Sequence, residues 1–178
     1  MKKYDIIYAD PPWHYAKRRT GTVFGGGVTD KYPTMRLEEI CAIPVQDWAA
    51  EDSMLFMWTT MPYLERSFQV VNSWGFDYKT VAFTWVKSNK DGTPWRGIGN
   101  FTKSNAELCL LARRGKVLPR ASRSVAQIIY EPRRQHSRKP DRVRDDIVSL
   151  VGDRPRLEMF ARTCTPGWDV WGNQTNTF

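Results

Sequence analysis

The most distinctive chemical grouping of the chain stands at residues 10–13, where Asp10-Pro11-Pro12-Trp13 follows the apolar run YDIIYA. The two prolines end the strand that this run predicts, because proline cannot donate a ladder hydrogen bond and fixes its own φ. A stiff turn of this kind would hold the carboxylate and the indole in a defined relation. Two plain interpretations compete with a catalytic one: a turn whose tryptophan covers the core, and a short polyproline ligand.

The grouping suits transfer chemistry at the exocyclic amine of a nucleobase such as adenine. That nitrogen is a poor nucleophile, because its lone pair is delocalised into the ring. The Asp10 carboxylate and a neighbouring backbone carbonyl would each accept one N–H, which orients the amine for attack on a methyl sulfonium. Trp13 would offer a flat face on which an extruded base stacks. This interpretation uses all four residues, and the two plain ones do not.

Other chemistries find less support in the sequence. The glycines of FGGG, residues 24–27, lack the Lys-Ser/Thr of a phosphate loop, and no G-x-G-x-x-G opens a helix after a strand. A hydrolase stays open with two histidines, although no G-x-S-x-G elbow occurs. Three separated cysteines without a CxxC pair disfavour a zinc site or a disulfide framework. Too few acids cluster near Asp10 and His14 for a two-metal site, so we expect no metal.

The composition indicates one folded domain with a polyanionic partner. The chain has 178 residues, of which 41% are hydrophobic and 13% aromatic, enough for a sizeable core. Its net charge of +8 favours nucleic acid over a membrane, since no amphipathic basic helix stands out. A solvated basic surface without a partner is the alternative. No apolar run approaches a signal peptide or a membrane span, so we expect a cytoplasmic protein.

Strand-like and helical patterns alternate along the chain. Two amphipathic patterns predict helices, one from Pro62 to Gly75 and one from Pro140 to Gly152. Together with the strands, they predict an α/β, Rossmann-like fold with a largely parallel sheet and helices on both faces. No helix interrupts residues 78–112, which predicts an antiparallel hairpin at one edge. Runs rich in β-branched and aromatic residues predict strands at 4–9, 53–59, 78–86, 108–112, 126–130, 157–160 and 169–171.

Two segments, residues 17–35 and 88–105, are too rich in glycine and polar residues for regular structure. Irregular segments longer than about 12–15 residues in a compact domain are usually functional or disordered. The first one follows Asp10–Trp13 at the carboxyl end of the first strand. Open α/β sheets bind their ligands at that edge, so we expect the site there.

The chain also resembles a known family. DPPW after a short apolar strand is similar to the catalytic motif of adenine-N6 methyltransferases that use S-adenosylmethionine. The resemblance is to the family of the messenger-RNA adenosine methyltransferase catalytic subunit, with its bacterial and phage DNA-modifying relatives. It covers nearly the whole chain and implies one methyltransferase domain, residues 1–178, with a permuted motif order. The further motifs are YPTM (32–35), LFMW (55–58), TWVK (84–87), AELCLL (106–111), HSRKPD (136–141), LEMFAR (157–162) and WGNQ (171–174).

The resemblance implies a role for each matching position. The catalytic motif would consist of Asp10, Pro11, Pro12 and Trp13. Contacts to S-adenosylmethionine would come from Asp10, Lys139, Glu158, Arg162, Asn173 and Gln174. Positions near the target base would be Tyr32, Trp58, Trp85 and Lys87. For the two tryptophans, packing in the sheet core is an equally good interpretation.

Two departures from the family pattern affect the cofactor site. Thr163-Cys164 follow Arg162 where the messenger-RNA enzyme's pattern has His-Asn, so part of its grip on the cofactor is missing or replaced. The segment that precedes the DPPW strand in that enzyme is absent here, and we expect no extra domain that would recognise a long target.

A basic run at residues 133–144 bears on nucleic-acid binding. In our interpretation no acid follows three of its arginines, Arg133, Arg134 and Arg138, within a turn. We therefore predict that these arginines bind the nucleic-acid backbone and guide it toward the transfer site. Arg142 and Arg144 have aspartates close by and are interpreted as a solvated, neutralised face.

The resemblance thus implies methyl transfer from S-adenosylmethionine to adenine N6 in nucleic acid. DNA is the expected substrate, because a compact chain with YPTM and a short N-terminus is similar to the phage and bacterial branch. Methylation of RNA is one alternative. A catalytically silent nucleic-acid-binding subunit on the same fold is another, and the intact Asp10 motif together with Asn173-Gln174 argues against it. The oligomeric state stays open.

Overall fold

The computed structural model describes residues 2–14, 33–99, 101–134 and 138–172. The strands are β1 (Tyr4–Ala9), β2 (Ala49–Thr59), β3 (Asp77–Ser88), β4 (Ala106–Arg114), β5 (Ile128–Pro132), β6 (Arg156–Met159) and β7 (Asp169–Trp171). The helices are α1 (Leu37–Cys41), α2 (Leu64–Ser73) and α3 (Arg142–Val151), with 3-10 turns at Val45–Asp47 and Met61–Tyr63. Strands and helices alternate as predicted from β1 to β3, and β3, β4 and β5 then follow one another without a helix among the described residues.

The strands of the described ranges form one seven-stranded sheet in the order β5-β3-β4-β2-β1-β6-β7. Neighbouring strands are parallel except around β4, which is antiparallel to both β2 and β3. The other six strands therefore point the same way. The start of β4 consequently lies at the same edge of the sheet as their carboxyl ends. We call this edge the carboxyl edge.

The predicted antiparallel hairpin exists as β3 and β4, but its predicted position at an edge is wrong. β4 pairs with β2 on its other side, so the hairpin is built into the sheet. β5 extends the sheet beyond β3, in parallel register from Thr84↔Ile128 to Ser88↔Pro132. The parallel pairing of β5 with β3 joins segments that lie far apart in the chain and leaves no local sequence signal. The sequence pattern therefore places the hairpin at the edge of the sheet.

The helices cover both faces of the sheet, as predicted. Successive strand residues point to opposite faces, so Ile6 and Ile7 belong to different halves of the core. Ile7 packs in the half that contains Ile40 of α1 and Val70 of α2. Ile6 packs in the half that contains Val143 of α3. The sheet is thus buried on both sides, and its carboxyl edge is left for a site.

Two local features refine the sequence expectation. The helix expected from Pro62 begins as the 3-10 turn Met61–Tyr63 and ends before Gly75 as α2. The unpredicted helix α1 has only five residues, and it is capped where the Arg36 amide donates to the Glu39 carboxylate at 2.6 Å. In the described part of the chain, no helix has the length and apolar character that a membrane crossing requires.

Candidate active site

The DPPW motif forms a tight turn at the carboxyl edge, directly after β1. The Trp13 amide donates to the Pro11 carbonyl at 2.9 Å, which closes the turn over three residues. The Met35 amide donates to the Pro12 carbonyl at 2.8 Å, and the His14 amide donates to the Met35 carbonyl at 3.1 Å. The motif is therefore held rigidly by its own backbone and by the segment at residues 33–35.

The side chain of Trp13 turns into the core, in contrast to its predicted role as a stacking platform for a base. Its side chain is buried, with 5% of the residue exposed, and its ring lies 5.6 Å from that of Tyr63. Its indole N–H points to the Trp58 carbonyl of β2 at 3.4 Å. Burying an indole removes a large apolar surface from water, and here that burial fastens the turn to the core.

Four charged side chains meet beside this turn in alternating order: Asp10, Lys139, Glu107 and Lys87. The Lys139 ammonium lies 2.8 Å from Asp10 Oδ2 and 3.2 Å from Glu107 Oε2. Glu107 also accepts from the Lys87 ammonium. The side chains of Lys139 and Glu107 are only 9% and 11% exposed, so water screens these pairs weakly. We call these four residues the charged chain.

The charged chain sets the ionisation of its members. Burial favours a neutral Lys139, but the Asp10 and Glu107 carboxylates outweigh it and raise the pKa of this amine above its usual value. Burial also opposes ionisation of Glu107, but Lys139 and Lys87 lower its pKa below the ordinary range. For Asp10 burial prevails over the attraction of Lys139, and its pKa is raised.

Trp58 and Trp85 belong to the sheet core, as the packing interpretation holds. The Trp58 indole donates to the Tyr8 hydroxyl at 2.7 Å, and the Trp85 indole donates to the Glu131 carbonyl at 3.0 Å. Their rings lie under the lysines of the charged chain, 5.8 Å from the Lys139 ammonium and 5.0 Å from that of Lys87. The two tryptophans therefore support the lysines through cation–π contact, and neither belongs to the walls of the two cavities that border Asp10.

An open cavity of about 530 Å³ lies between the ends of β1, β6 and β7. Its wall includes Asp10, so the cavity and the charged chain share this residue. Phe160 stands in the left-handed region at φ 59°, with its amide 2.6 Å from the Trp171 carbonyl. The neighbouring Gly172 leaves room for this turn, because a Cβ there would lie 3.1 Å from the Phe160 Cα. The wall is formed by Asp10, Pro12, Pro33, Met35, Phe160, Arg162, Val170, Trp171 and Gly172.

Glu158, one of the predicted contacts to S-adenosylmethionine, does not lie in that wall. Its two carboxylate oxygens accept from Arg144 at 2.5 and 2.7 Å, and both side chains are largely buried. The pair borders a smaller cavity of about 40 Å³, which shares Asp10, Phe160 and Arg162 with the large one. Lys139 also borders the small cavity and not the large one.

The sequence interpretation of the basic run was partly wrong. Arg144 is not a solvated residue but the buried partner of Glu158, whereas the exposed Arg142 pairs with Asp146 as expected. Arg134 and Arg138 do have an acid within reach, because Asp141 accepts from them at 2.5 and 2.8 Å.

Arg133 differs from its two basic neighbours in what it touches. Its guanidinium lies 3.6 Å from the ring centroid of Trp95 and is exposed at the surface. Stacking on a ring leaves the N–H groups of a guanidinium free to point outward, so this arginine is the one best presented to a ligand.

Three predicted site residues, Tyr32, Asn173 and Gln174, lie outside the described residues. Gly172, which directly precedes Asn173, is part of the wall of the large cavity. Glu107 was missed, although it stands in the AELCLL segment, because one acid in a strand-like run carries no chemical signal by itself. Among the described residues, no group of three or more His, Cys, Asp or Glu side chains could hold a metal ion.

Comparison with known proteins gives one family over nearly the whole chain, including every residue of the candidate site. The chain matches the MT-A70 family model over residues 4–174. It is 38% identical over 186 residues to the type II methyltransferase M.MunI of Mycoplasma sp, covering 96% of this chain and 77% of that protein. It is 30% identical over 184 residues to the N6-methyladenosine RNA methyltransferase MTA1 of Cryphonectria parasitica, covering 98% of this chain but 52% of that protein. The human N(6)-adenosine-methyltransferase catalytic subunit METTL3 is 26% identical over 180 residues, 28% of its length. The chain, with its DPPW turn at the carboxyl edge, belongs to the MT-A70 family.

Proposed function

We propose that this chain is an enzyme that transfers a methyl group from S-adenosylmethionine to the N6 amine of adenine in DNA. The observation that carries the proposal is the position of Asp10. Asp10 borders the large cavity, and its carboxylate contacts the Lys139 ammonium of the charged chain. One acceptor residue thus joins a cavity for the methyl donor to the charged chain, beside which we place the amine. The enzyme would act as one domain, residues 1–178, in the cytoplasm of a bacterial or phage-infected cell.

The large cavity fits S-adenosylmethionine in size and in chemistry. Its volume of about 530 Å³ falls within the roughly 300–1,000 Å³ usual for such ligands. The Phe160 and Trp171 rings, in edge contact at 5.3 Å, suit an adenine ring. Asp10 and Arg162 suit the oppositely charged groups of an amino-acid end. Asn173 and Gln174 follow the cavity wall in sequence, and we assign them to the adenosine end.

The residues of the charged chain prepare the amine for attack. When bound, the cofactor offers an electrophilic methyl carbon: N6 donates its lone pair to that carbon, the carbon–sulfur bond breaks with its electrons left on sulfur, and N6 releases one proton. Asp10 accepts an N–H of the amine, and its raised pKa also suits it to receive that proton. Lys139 keeps the carboxylate ionised beforehand. The Pro11 carbonyl, which already accepts one amide, has a second lone pair for the other N–H.

DNA is favoured over RNA by the pattern of similarity. M.MunI, at 38% identity, carries the name of a type II methyltransferase, whereas relatives named for RNA or adenosine methylation stand at 26–30%. The net charge of +8 suits either polyanion. RNA is therefore the second candidate.

The test is transfer of a labelled methyl group to single-stranded DNA, duplex DNA and RNA, followed by nucleoside identification. Labelled N6-methyldeoxyadenosine is the expected product. The Asp10→Asn variant keeps the shape of the side chain but not its charge, and it should lose about 10²–10³ in rate. Labelled N6-methyladenosine from RNA alone would replace DNA by RNA as the substrate. Binding of the cofactor with no transfer to any of the three would favour a silent subunit.

A further inference from the structure

The segment between β3 and β4, described except for residue 100, forms an arm that begins at the charged chain. Lys87 lies next to the end of β3 and Glu107 next to the start of β4, so the arm begins and ends at the transfer site. The Lys87 amide donates to the Asn105 carbonyl at 2.8 Å, and the Trp95 amide donates to the Lys87 carbonyl at 3.0 Å. Farther out, Gly97 and Ser104 exchange amide hydrogen bonds of 2.9 and 3.1 Å. The antiparallel hydrogen bonding between β3 and β4 therefore continues along the arm, beyond the end of the sheet.

The tip of the arm, of which residues 98, 99 and 101–103 are described, displays two large apolar side chains. Ile98 is 91% exposed and Phe101 is 104% exposed relative to the free residue. The tip is tight, because a Cβ on Gly99 would lie 2.1 Å from the Thr102 carbonyl oxygen. Exposing two such large apolar side chains within four positions of one tip is unfavourable in water, which indicates a surface that contacts a partner.

The charges around the tip identify the class of that partner. Lys90, Arg96 and Lys103 of the arm are basic, and its one acid, Asp91, is engaged by the Thr93 amide and hydroxyl at 3.0 and 2.7 Å. Arg133 adds a fourth cation, stacked on Trp95 of the same arm. A second copy of this chain would bring the same positive charges against one another. A polyanion is attracted to all of them.

The burial of the transfer site explains why an apolar tip would be useful on nucleic acid. The Lys139 side chain beside Asp10 is only 9% exposed, so N6 of an adenine that is stacked in a duplex does not reach it. Proteins that open or kink DNA commonly insert apolar wedges between base steps and hold the flanking phosphates with basic residues. The arm offers both elements next to the site.

We infer that the arm is a duplex-opening element: Ile98 and Phe101 wedge into the base stack of double-stranded DNA while Arg96, Lys103 and Arg133 hold its backbone. This inference rests on the proposed function, since the opened adenine is the substrate. The wedge acts on stacking alone, so it is needed for duplex DNA and not for single strands.

The experiment uses a pool of short duplexes in which 2-aminopurine, whose fluorescence rises on unstacking, replaces one adenine in varied flanking sequence. The intact chain raises the fluorescence. The double variant Ile98→Ala, Phe101→Ala loses most of that rise, and its ratio of duplex to single-strand methylation falls about tenfold or more. Gly99→Ala keeps both apolar side chains but displaces the tip, and it shows a smaller loss. The matched control is Val117→Ala, another exposed apolar residue, which follows β4 at the opposite edge of the sheet and behaves as the intact chain.

Three results would overturn the inference. The first is a double variant with the fluorescence rise and methylation ratio of the intact chain. The second is an intact chain that does not bind duplex DNA. The third is an intact chain that sediments as a dimer while the double variant is a monomer, which would assign the tip to self-association. The fluorescence needs no methyl transfer, so a chain that methylates no DNA would refute the proposed function while the role of the tip is still decided.

Discussion

The Lys139 ammonium lies 2.8 Å from the Asp10 carboxylate, although 129 positions separate the two residues in the chain. The contact joins the turn after β1 to the segment that leads into α3. The same ammonium also contacts Glu107. This one cation therefore stabilises two carboxylates that would otherwise repel each other in a site with little water. The ionisation of Asp10 thus depends on a residue that the DPPW motif does not contain.

Replacing Lys139 should therefore change the pH dependence of the reaction. The amine needs an ionised Asp10, whose pKa burial already raises, so kcat/KM should fall on the acidic side with a midpoint above the ordinary Asp value of about 3.9. Lys139→Met removes an influence that lowers this pKa, so the midpoint should move to higher pH. Lys139→Arg keeps the charge and should stay near the midpoint of the intact enzyme even if its rate is lower. Profiles of kcat/KM against pH measure this, and identical midpoints for intact enzyme and Lys139→Met would contradict it.

Arg144 should matter for stability far more than its neighbour Arg142. Its side chain is 13% exposed and doubly bonded to Glu158, whereas that of Arg142 is 53% exposed. Arg144→Ala leaves a buried carboxylate unpaired and should lower the free energy of unfolding by about 3–5 kcal/mol. Arg142→Ala should cost less than about 1 kcal/mol.

Urea unfolding of both arginine variants gives the comparison. Because a buried ion pair is often replaceable by apolar residues, Arg144→Met combined with Glu158→Leu should recover most of the loss. Equal and small effects of the two alanine variants would mean that the Arg144–Glu158 pair is screened in solution.

Arg133 should contribute more to DNA affinity than Arg138. A phosphate contact releases counterions, so losing one should lower the salt slope of binding by about 1. Arg133 presents its guanidinium outward from Trp95, and Arg138 is already paired with Asp141. Binding of duplex DNA measured against salt for Arg133→Ala, Arg138→Ala and the control Arg142→Ala tests the order. An unaltered slope for Arg133→Ala would show that the backbone is held elsewhere.

Asn173 and Gln174 should contribute to cofactor affinity. Losing one hydrogen bond whose partner stays buried costs about 1–3 kcal/mol, so each change to alanine should weaken S-adenosylmethionine binding about tenfold or more. Calorimetry on the two single variants and the double variant measures this. Native affinity in the double variant would remove both residues from the cofactor site.

The sequence predicted the elements of the fold well and their pairing less well. β1 and β7 were predicted with the observed bounds, because prolines and glycines delimit short β-rich runs. Helix α1 was missed, since five residues are too few to show a period. The inner position of β4 depends on β5 returning to pair with β3, a long-range choice that no local pattern records.

For the site, the sequence indicated the residue types but not their surroundings. The four letters of DPPW do not reveal that the indole of Trp13 turns into the core, or that the Asp10 carboxylate pairs with the Lys139 ammonium. The pairing of Arg138 with Asp141 spans three positions across Pro140 and was overlooked, because the backbone there is not yet helical. The place of Glu107 in the charged chain follows only from the fold, which brings the ammonium groups of Lys87 and Lys139 to its carboxylate.

The reversed direction of β4 has a consequence for how such an enzyme diversifies. Both ends of the arm emerge at the carboxyl edge, anchored in an antiparallel ladder, so the arm can lengthen or shorten without rerouting any strand. Doubling the length of a flexible loop costs only about 0.6 kcal/mol in closure entropy. An exchange of residues 89–104 for a segment of different length would therefore change how readily the enzyme opens duplex DNA while leaving Lys87 and Glu107 in place, which makes this junction a grafting point for engineering.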